Sequence, residues 1–378
     1  MPELTSILLV AGPFVLIASL LEALVLTQRA RRLREQNSKQ FAATDHSRRV
    51  VGSSTTFAVG ERSCADCSCQ APETLSTGVD VGAISRSRIP PPVAEVQIED
   101  YDWRAMGVSL LDQVGRGLMR LVPITLAAPA FALAEDHRLF DLELNSVFAV
   151  LLLFFGQEFL YYWFHRTAHR VRFFWANHSV HHSPNQLNLS AAYRLGWFGQ
   201  FAGAAIFFTP LVWLGFDQTV VLTVVGINLL YQFWIHATWI PKLGPLEYVL
   251  NTPSAHRVHH ASNLRYLDAN YGGVLIIFDR LFGTCIEEHD DEPCVYGWVR
   301  PIRSYNPLRI ELTPWTSLFR DVFGARSMAD ALGFLLRPPG WRPDGPGETT
   351  EELRARAGMG QIEAIQPAYQ ASDAAVSS

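Results

Sequence analysis

The chain has 378 residues, a net charge of −5, 18% charged and 49% apolar residues, and a mean hydropathy of +0.10. Without a basic excess it lacks the electrostatic footprint of a nucleic-acid binder. Five cysteines in no regular framework argue against a disulfide scaffold, and the apolar excess points to long spans joined by polar segments.

In chain order, the first apolar stretch is Ile7 to Leu26. Glu3 precedes it, and Arg29, Arg31, Arg32 and Arg34 follow it, which is the reverse of a signal-peptide pattern. We therefore expect an N-terminal transmembrane helix within residues 1–36. Residues 37–100 are rich in Ser, Thr, Gly and Pro without periodicity, so a disordered cytoplasmic insert is expected there. Cys64, Cys67 and Cys69 lie in it. Their spacing suits a metal, but no second Cys/His pair is near, and the reading is a reduced, flexible segment.

Four further apolar stretches follow, at Leu118 to Ala134, Val147 to Phe164, Trp197 to Phe216 and Thr219 to Trp239, the first of them interrupted by Arg120 and Pro123. Each is long enough, or nearly so, to cross a bilayer core of about 20 helical residues. Lys and Arg collect on cytoplasmic loops. That rule places the arginines after the first span, then Arg166, Arg170 and Arg172, then Lys242, Arg257, Arg265 and Arg280 inside, and the acidic AEDHRLFDLEL outside. The expected fold class is all-α, an integral membrane bundle of about four to five transmembrane helices with a cytosolic helical cap carrying a histidine-rich di-metal site. Residues 101–290 would form the catalytic membrane domain. Residues 291–342 would form a cytosolic or interfacial segment, with an interfacial helix around Trp315 to Leu336, and 343–378 a disordered tail.

Nine of the twelve histidines fall between His165 and His260. His165 and His169 are four apart; His178, His181 and His182 form HxxHH; His256, His259 and His260 repeat it; His236 sits at the inner end of the last span. Positions i, i+3 and i+4 share a helix face, so each motif can aim its imidazoles at one point. The span order puts all of them on one side of the membrane, where they can meet at a single site. His46, His137 and His289 lie outside the pattern and read as surface residues.

Imidazole suits zinc, copper, iron and nickel alike, so ligand type does not choose the metal. Number is more informative, since eight or nine histidines are too many for one ion and suit two. No HExxH occurs to supply the base of a zinc protease, and no Glu-x-x-His pairs mark a carboxylate-bridged bundle. A site where apolar helices meet the cytosol is open to a lipid from one side and to O2 or reductant from the other. Unactivated C–H bonds need a redox metal, which points to iron.

The motifs YYWFHRTAH, HSVHHSPNQLNLSAAYR, LGPLEYVLNTPSAHRVHH and LDANYGGVLIIFDRLFGT resemble the fatty acid hydroxylase/sterol desaturase superfamily over about Tyr101 to Asp344. They are most similar to its alkylglycerol monooxygenase branch and to bacterial sterol desaturase family proteins. The resemblance implies an O2-dependent di-iron oxidoreductase of monooxygenase type, hydroxylating or desaturating a fatty acyl, alkylglycerol ether or sterol lipid. It implies two iron ions (Fe2+/Fe3+) held by His165, His169, His178, His181, His182, His236, His256, His259 and His260, all but His236 also counted as catalytic. Asn270 would be an outer or water-mediated partner. Glu158 and Gln157, polar and intramembrane, are candidates either for the site or for a hydrogen bond to a neighbouring helix. Electrons would come from tetrahydropterin or an external donor, since no fused haem-binding HPGG segment is present. The location implied is a multi-pass protein of a bacterial inner membrane with its site on the cytoplasmic face.

Two departures matter. Ala192, Tyr193 and Arg194 stand where sterol enzymes commonly carry His-Pro, and Ala255 stands where the ether-lipid branch often has another His. Neutral imidazoles are needed for binding, so metal loading is expected to fail as pH falls through the histidine range near 6.5. Two other classes stay open: a membrane metal-binding or transport protein, which would spread ionisable residues along its spans beyond Glu22, Arg120 and Glu158, and a zinc-dependent lipid hydrolase.

Overall fold

The computed structural model describes residues 2–52, 100–122 and 124–359, with side chains for 11–37, 100–122 and 124–359. Helices α1 (Pro2–Gly52), α2 (Trp103–Met119), α3 (Ala128–Asp136), α4 (Val147–Arg170) and α5 (Arg172–His178) come first. After them run α6 (Gly199–Ala202), α7 (Thr209–Leu214), α8 (Gln218–Trp234), α9 (Pro253–His260) and α10 (Ile277–Leu281). The C-terminal third adds α11 (Pro307–Phe323), α12 (Met328–Leu336) and α13 (Thr350–Arg356). Among the described residues there is no strand, only isolated bridges at Leu250–Leu275 and Ala261–Tyr296. The chain divides into two units, Met1–Glu22 with Asp102–Ser378, and Ala23–Tyr101; within the latter Arg34 pairs with Asp100 at 2.8 Å.

Among the described residues, two helices are long and apolar enough to cross a membrane, Ala11–Asn37 and Val147–Arg170. The second starts where the Ser146 hydroxyl accepts the Ala149 amide at 3.2 Å, which satisfies one of the free donors of a helix start. Its first half exposes Val147, Phe148, Val150, Leu151 and Phe155, as a lipid-facing surface would. Its second half sinks Tyr161, Tyr162 and His165 into the protein. One core forms where α3, α4, α7 and α8 meet, around Phe131, Leu153, Leu211, Val212, Phe216 and Val221. Another joins α5, α6 and α11 through Ala176, Ala202, Trp315 and Leu318.

Several expectations from the sequence need correction. The stretch Leu118 to Ala134 is not one span, because α2 ends at Met119 and α3 begins at Ala128. The stretch Trp197 to Phe216 is likewise broken into α6, the 3-10 turn Ala204–Phe208 and α7, with Gly203 at φ 73° where only a residue without Cβ sits easily. The interfacial helix around Trp315 to Leu336 is two helices, α11 and α12, with Trp315 and Leu318 buried and Leu308, Leu312, Phe319, Phe323, Met328, Leu332 and Leu336 exposed.

α1 continues helical to Gly52, into the segment read as a disordered insert; the rest of that insert up to residue 99, with Cys64, Cys67 and Cys69, lies outside the described residues. The tail read as disordered from residue 343 holds α13, whose start carries a reciprocal Thr349/Glu352 capping box. Arg354 anchors it by donating to the carbonyls of Leu264, Arg265 and Leu267. Residues 360–378 lie outside the described residues.

Candidate metal centre

The first histidine pair ends α4, the second motif occupies the end of α5 and the turn after it, and the third fills the last turns of α9. In α9 the Thr252 hydroxyl accepts the Ala255 amide and Pro253 occupies the first turn, so the helix starts cleanly just ahead of its ligands. Arg257 points away from them and is held by both oxygens of Glu288, at 2.9 and 2.6 Å.

The nine imidazoles gather into two groups. His165, His169, His178, His182 and His259 form one, and His181, His236, His256 and His260 the other; within each, one nitrogen per ring lies within 4.8 Å of all the others. The motifs do not each aim at one point, as helix periodicity alone suggests. In both HxxHH motifs the i and i+4 rings stay together and the i+3 ring, His181 or His259, crosses to the other group. His182 and His260 stack between the groups with ring centroids 4.4 Å apart.

The outer nitrogens explain which inner ones are free. Nδ1 of His165, His259, His181 and His236 lies 2.9, 2.9, 3.0 and 2.7 Å from the carbonyls of Tyr271, Ala269, Arg194 and Gln232. A carbonyl only accepts, so these Nδ1 atoms carry the proton and each Nε2 presents a lone pair. His169 Nδ1 faces the Asp268 carboxylate at 3.4 Å. Yet Nε2 of His165 and His182 face that of His178 at 3.0 and 3.2 Å, and Nε2 of His236 and His260 face that of His256 at 3.1 Å each. Nε2 of His169 and of His259 are buried and meet no hydrogen-bond partner. Lone pairs so apposed repel unless a proton or cation lies between them. This donor set, with Nδ1 of His165, His169, His181, His236 and His259 held by outer partners, fits a pair of metal ions.

Sequence reasoning missed the groups that do this locking. The loop LDANYGG supplies all three outer partners named for the first group: the Asp268 carboxylate, the Ala269 carbonyl and the Tyr271 carbonyl. Asp268 and Asn270 adopt left-handed backbone, φ 54° and 57°, which lets the loop turn all three inward. Asp279 carries the loop from behind, accepting the Tyr271 amide at 2.7 Å and the Gly272 amide at 2.8 Å. Burial pushes the Asp279 carboxyl up to about 7. Asp268 is held at about 2: burial would raise it, but the His169 hydrogen bond and the Arg170 charge outweigh burial. The only signal in the sequence was the clustering of these residues inside LDANYGG and FDRLFGT.

Asn270 and Glu158 do not touch the imidazoles. The Asn270 amide donates to the carbonyls of Ala255 and Ile286 and accepts the Ile286 amide, so it ties this loop to α9, which carries the third histidine motif. Glu158 accepts the amides of Val274 and Leu275, each at 2.8 Å, and a close contact from Asn228. It is the helix-to-neighbour tie that the sequence left open as one of its two roles. Gln157 is buried beside it and accepts only a long contact from Asn228 at 3.5 Å. Glu22 is satisfied by the Leu189 amide and the Trp239 indole. His137 is exposed, His289 is half-buried, and the His46 side chain lies outside the described ones.

A cavity of about 300 Å³ reaches the site, with His169, His182, His259 and His260 on one wall and Trp175, Leu267, Trp298 and Leu353 on others. The C-terminal segment contributes Pro338 to Gly340, Glu348, Thr350 and Leu353, with the Arg300–Glu348 pair beside them.

Burial, with neighbouring imidazoles adding to it, holds His178, His182, His256, His259 and His260 well below the ordinary histidine value and His181 at about 4. A lowered folded-state value means the unfolded chain takes up protons first as pH falls. The stabilisation from burying neutral rings is complete above about 6.5 and is lost on the way down towards 4. The loading limit expected near 6.5 therefore moves lower. Because the burial-raised Asp279 and Glu311 carboxyls gain stability over the same range, the histidine part is read directly. In metal-free protein the ring NMR signals of these histidines should stay those of neutral imidazole from pH 8 to below about 6, and rings that titrate near 6.5 would overturn this.

The helical fold thus closes nine imidazoles into two buried groups, each of which could hold a metal ion. Residues 150–284 match the fatty acid hydroxylase family model. The chain is 42% identical over 212 residues to alkylglycerol monooxygenase of Homo sapiens, covering 56% of this chain and 47% of that protein. With the alkylglycerol monooxygenase of Danio rerio it shares 37% over 251 residues, 66% of this chain and 54% of the relative. With the ornithine lipid hydroxylase OlsE of Rhizobium tropici it shares 30% over 178 residues, 47% and 53% respectively. The chain thus spans about half the length of these curated relatives. No solved structure matches it significantly.

Proposed function

We propose that the protein is a membrane-bound non-haem di-iron oxygenase that hydroxylates a lipid, with desaturation as the outcome if the substrate is placed differently. The observation that carries this reading is the pair of buried nitrogen clusters, in which Nε2 atoms face one another at 3.0–3.2 Å and those of His169 and His259 meet no hydrogen-bond partner. The named activities of the relatives, a monooxygenase and a hydroxylase of lipids, support the same reading.

His165, His169, His178, His182 and His259 would hold one ion, and His181, His236, His256 and His260 the other. Two iron ions bound there would supply the redox chemistry with O2 that attack on an unactivated C–H bond requires, which zinc does not offer. The chain's own residues do the rest. The carbonyls of residues 194, 232, 269 and 271 fix ring orientation, and burial of the rings keeps bulk water from the reacting carbon. The cavity beside His169 and His260 would take the reacting part of the lipid between Trp175, Trp298 and Leu353. Electrons would enter from a separate donor or a pterin.

α1 and α4 would cross the bilayer, with their arginine-rich ends, and so the histidine site, towards the cytoplasm of a bacterial inner membrane. The exposed apolar faces of α11 and α12 would lie at the interface, as amphipathic helices do.

Purified protein should contain about two irons per chain and, with lipid and reductant, transfer one atom of 18O2 into a hydroxylated product. One zinc per chain with no O2 uptake would sink the proposal and favour a hydrolase; reversible transfer of metal across vesicles would favour a transporter.

A further inference from the structure

The turn from Arg194 to Phe198 has every amide after Arg194 captured by a side chain. Asp112 of α2 accepts the Leu195 amide at 3.0 Å and the Gly196 amide at 3.1 Å. Glu311 of α11 accepts the Trp197 amide at 3.0 Å, and Asn177, next to His178, accepts that of Phe198 at 3.1 Å. Gly196 has φ 77°, and a Cβ there would come within 2.9 Å of the Asn177 carbonyl oxygen. The Arg194 guanidinium is buried and donates to Ser109, the Ala105 carbonyl and Ser183. What this held turn presents is the Arg194 carbonyl, 3.0 Å from His181 Nδ1.

His181 is the one ring of the second motif that belongs to the His236–His256–His260 group. Asp112 and Glu311 are each 1% exposed, share a hydrogen bond, and lie outside residues 150–284. Burial, and then the adjacent Asp112, push the Glu311 carboxyl well above the usual range, so it keeps a proton at neutral pH and donates it to Asp112. A hydrogen-bonded pair with a single charge suits a site this dry, where two bare carboxylates would not persist.

We propose that the Asp112–Glu311 pair positions one metal site: by holding the amides of residues 195–197 it fixes the Arg194 carbonyl, orients His181, and sets the affinity of the second histidine group for its ion. The inference rests on the two-ion reading above. Outer partners of ligating histidines typically change metal affinity 10–100-fold.

The test is titration of metal-free full-length protein in detergent with cobalt(II), read by visible absorption. Wild type should take up two equivalents; fewer than two overturns the two-ion reading and this inference with it. Glu311→Leu should bind one equivalent as wild type does and the other about 10–100-fold more weakly, with altered bands. Glu311→Gln should restore wild-type behaviour, because its amide accepts from Trp197 and donates to Asp112. Two wild-type equivalents with unchanged bands in folded Glu311→Leu, or a Gln variant as impaired as Leu, overturns the inference while leaving the two-ion reading standing. Should Glu311→Leu fail to fold, Asp112→Asn, with one acceptor oxygen for two amides, is held to the same criterion.

Discussion

Replacing His259 by alanine should lower turnover by at least about 100-fold, beyond the 10–100-fold typical for partners one layer out, and reduce metal content towards one ion per chain. His259 is the ring of the third motif that crosses into the first group, with centroids 4.4 Å from His165 and 4.8 Å from both His169 and His182. Its Nδ1 is committed to the Ala269 carbonyl, leaving a buried Nε2 with no hydrogen-bond partner. No other side chain is placed to substitute for it. Half-buried His289, which belongs to neither histidine group, is the control, and His289→Ala should retain full metal and activity. Metal analysis beside lipid turnover decides the matter: a His259→Ala enzyme with two ions and normal rates would remove this ring from the centre.

The second large effect concerns stability. Glu158→Leu should destabilise the fold by several kcal/mol, since it strands the Val274 and Leu275 amides and the Asn228 side chain, at about 1–3 kcal/mol for each buried group left unsatisfied. These amides begin the segment that leads into α10 and Asp279, so the loop carrying Tyr271 loosens with them. Melting of the purified protein in detergent should show a clear drop and a lost fraction of folded material. Unchanged melting with lost activity would instead return Glu158 to the chemistry.

How much of this was written in the sequence depends on the range of the interactions involved. Eight of the nine clustered histidines were legible because HxxxH and HxxHH are local spacings, and His236 was legible only from its place at the end of a span. Their division into two groups was not, because it depends on how α4, α5, α8 and α9 meet. The same holds for Glu158, whose partners lie 70 to 117 residues away. Asp112 and Glu311 were invisible for the same reason, being ordinary acidic residues in sequence whose shared turn lies more than 80 residues from either. Hydropathy overcounted continuous spans, since an apolar run does not reveal a break such as Gly203, and capping at Thr349 made order where composition suggested none.

The crossing of the i+3 rings has a hereditary consequence. On the two-ion reading a point substitution removes one ligand from one ion, but an inserted or deleted residue inside the helical third motif rotates the following rings by about 100°, and one inside the second motif displaces the turn after α5, so ligands of both ions shift together. Neither ion could then be shed, nor a single-ion ancestor extended, by editing one motif alone. The two ions are inherited as one character, and the chain's tolerance of length change should fall to zero inside these five-residue windows while staying ordinary in the loops around them.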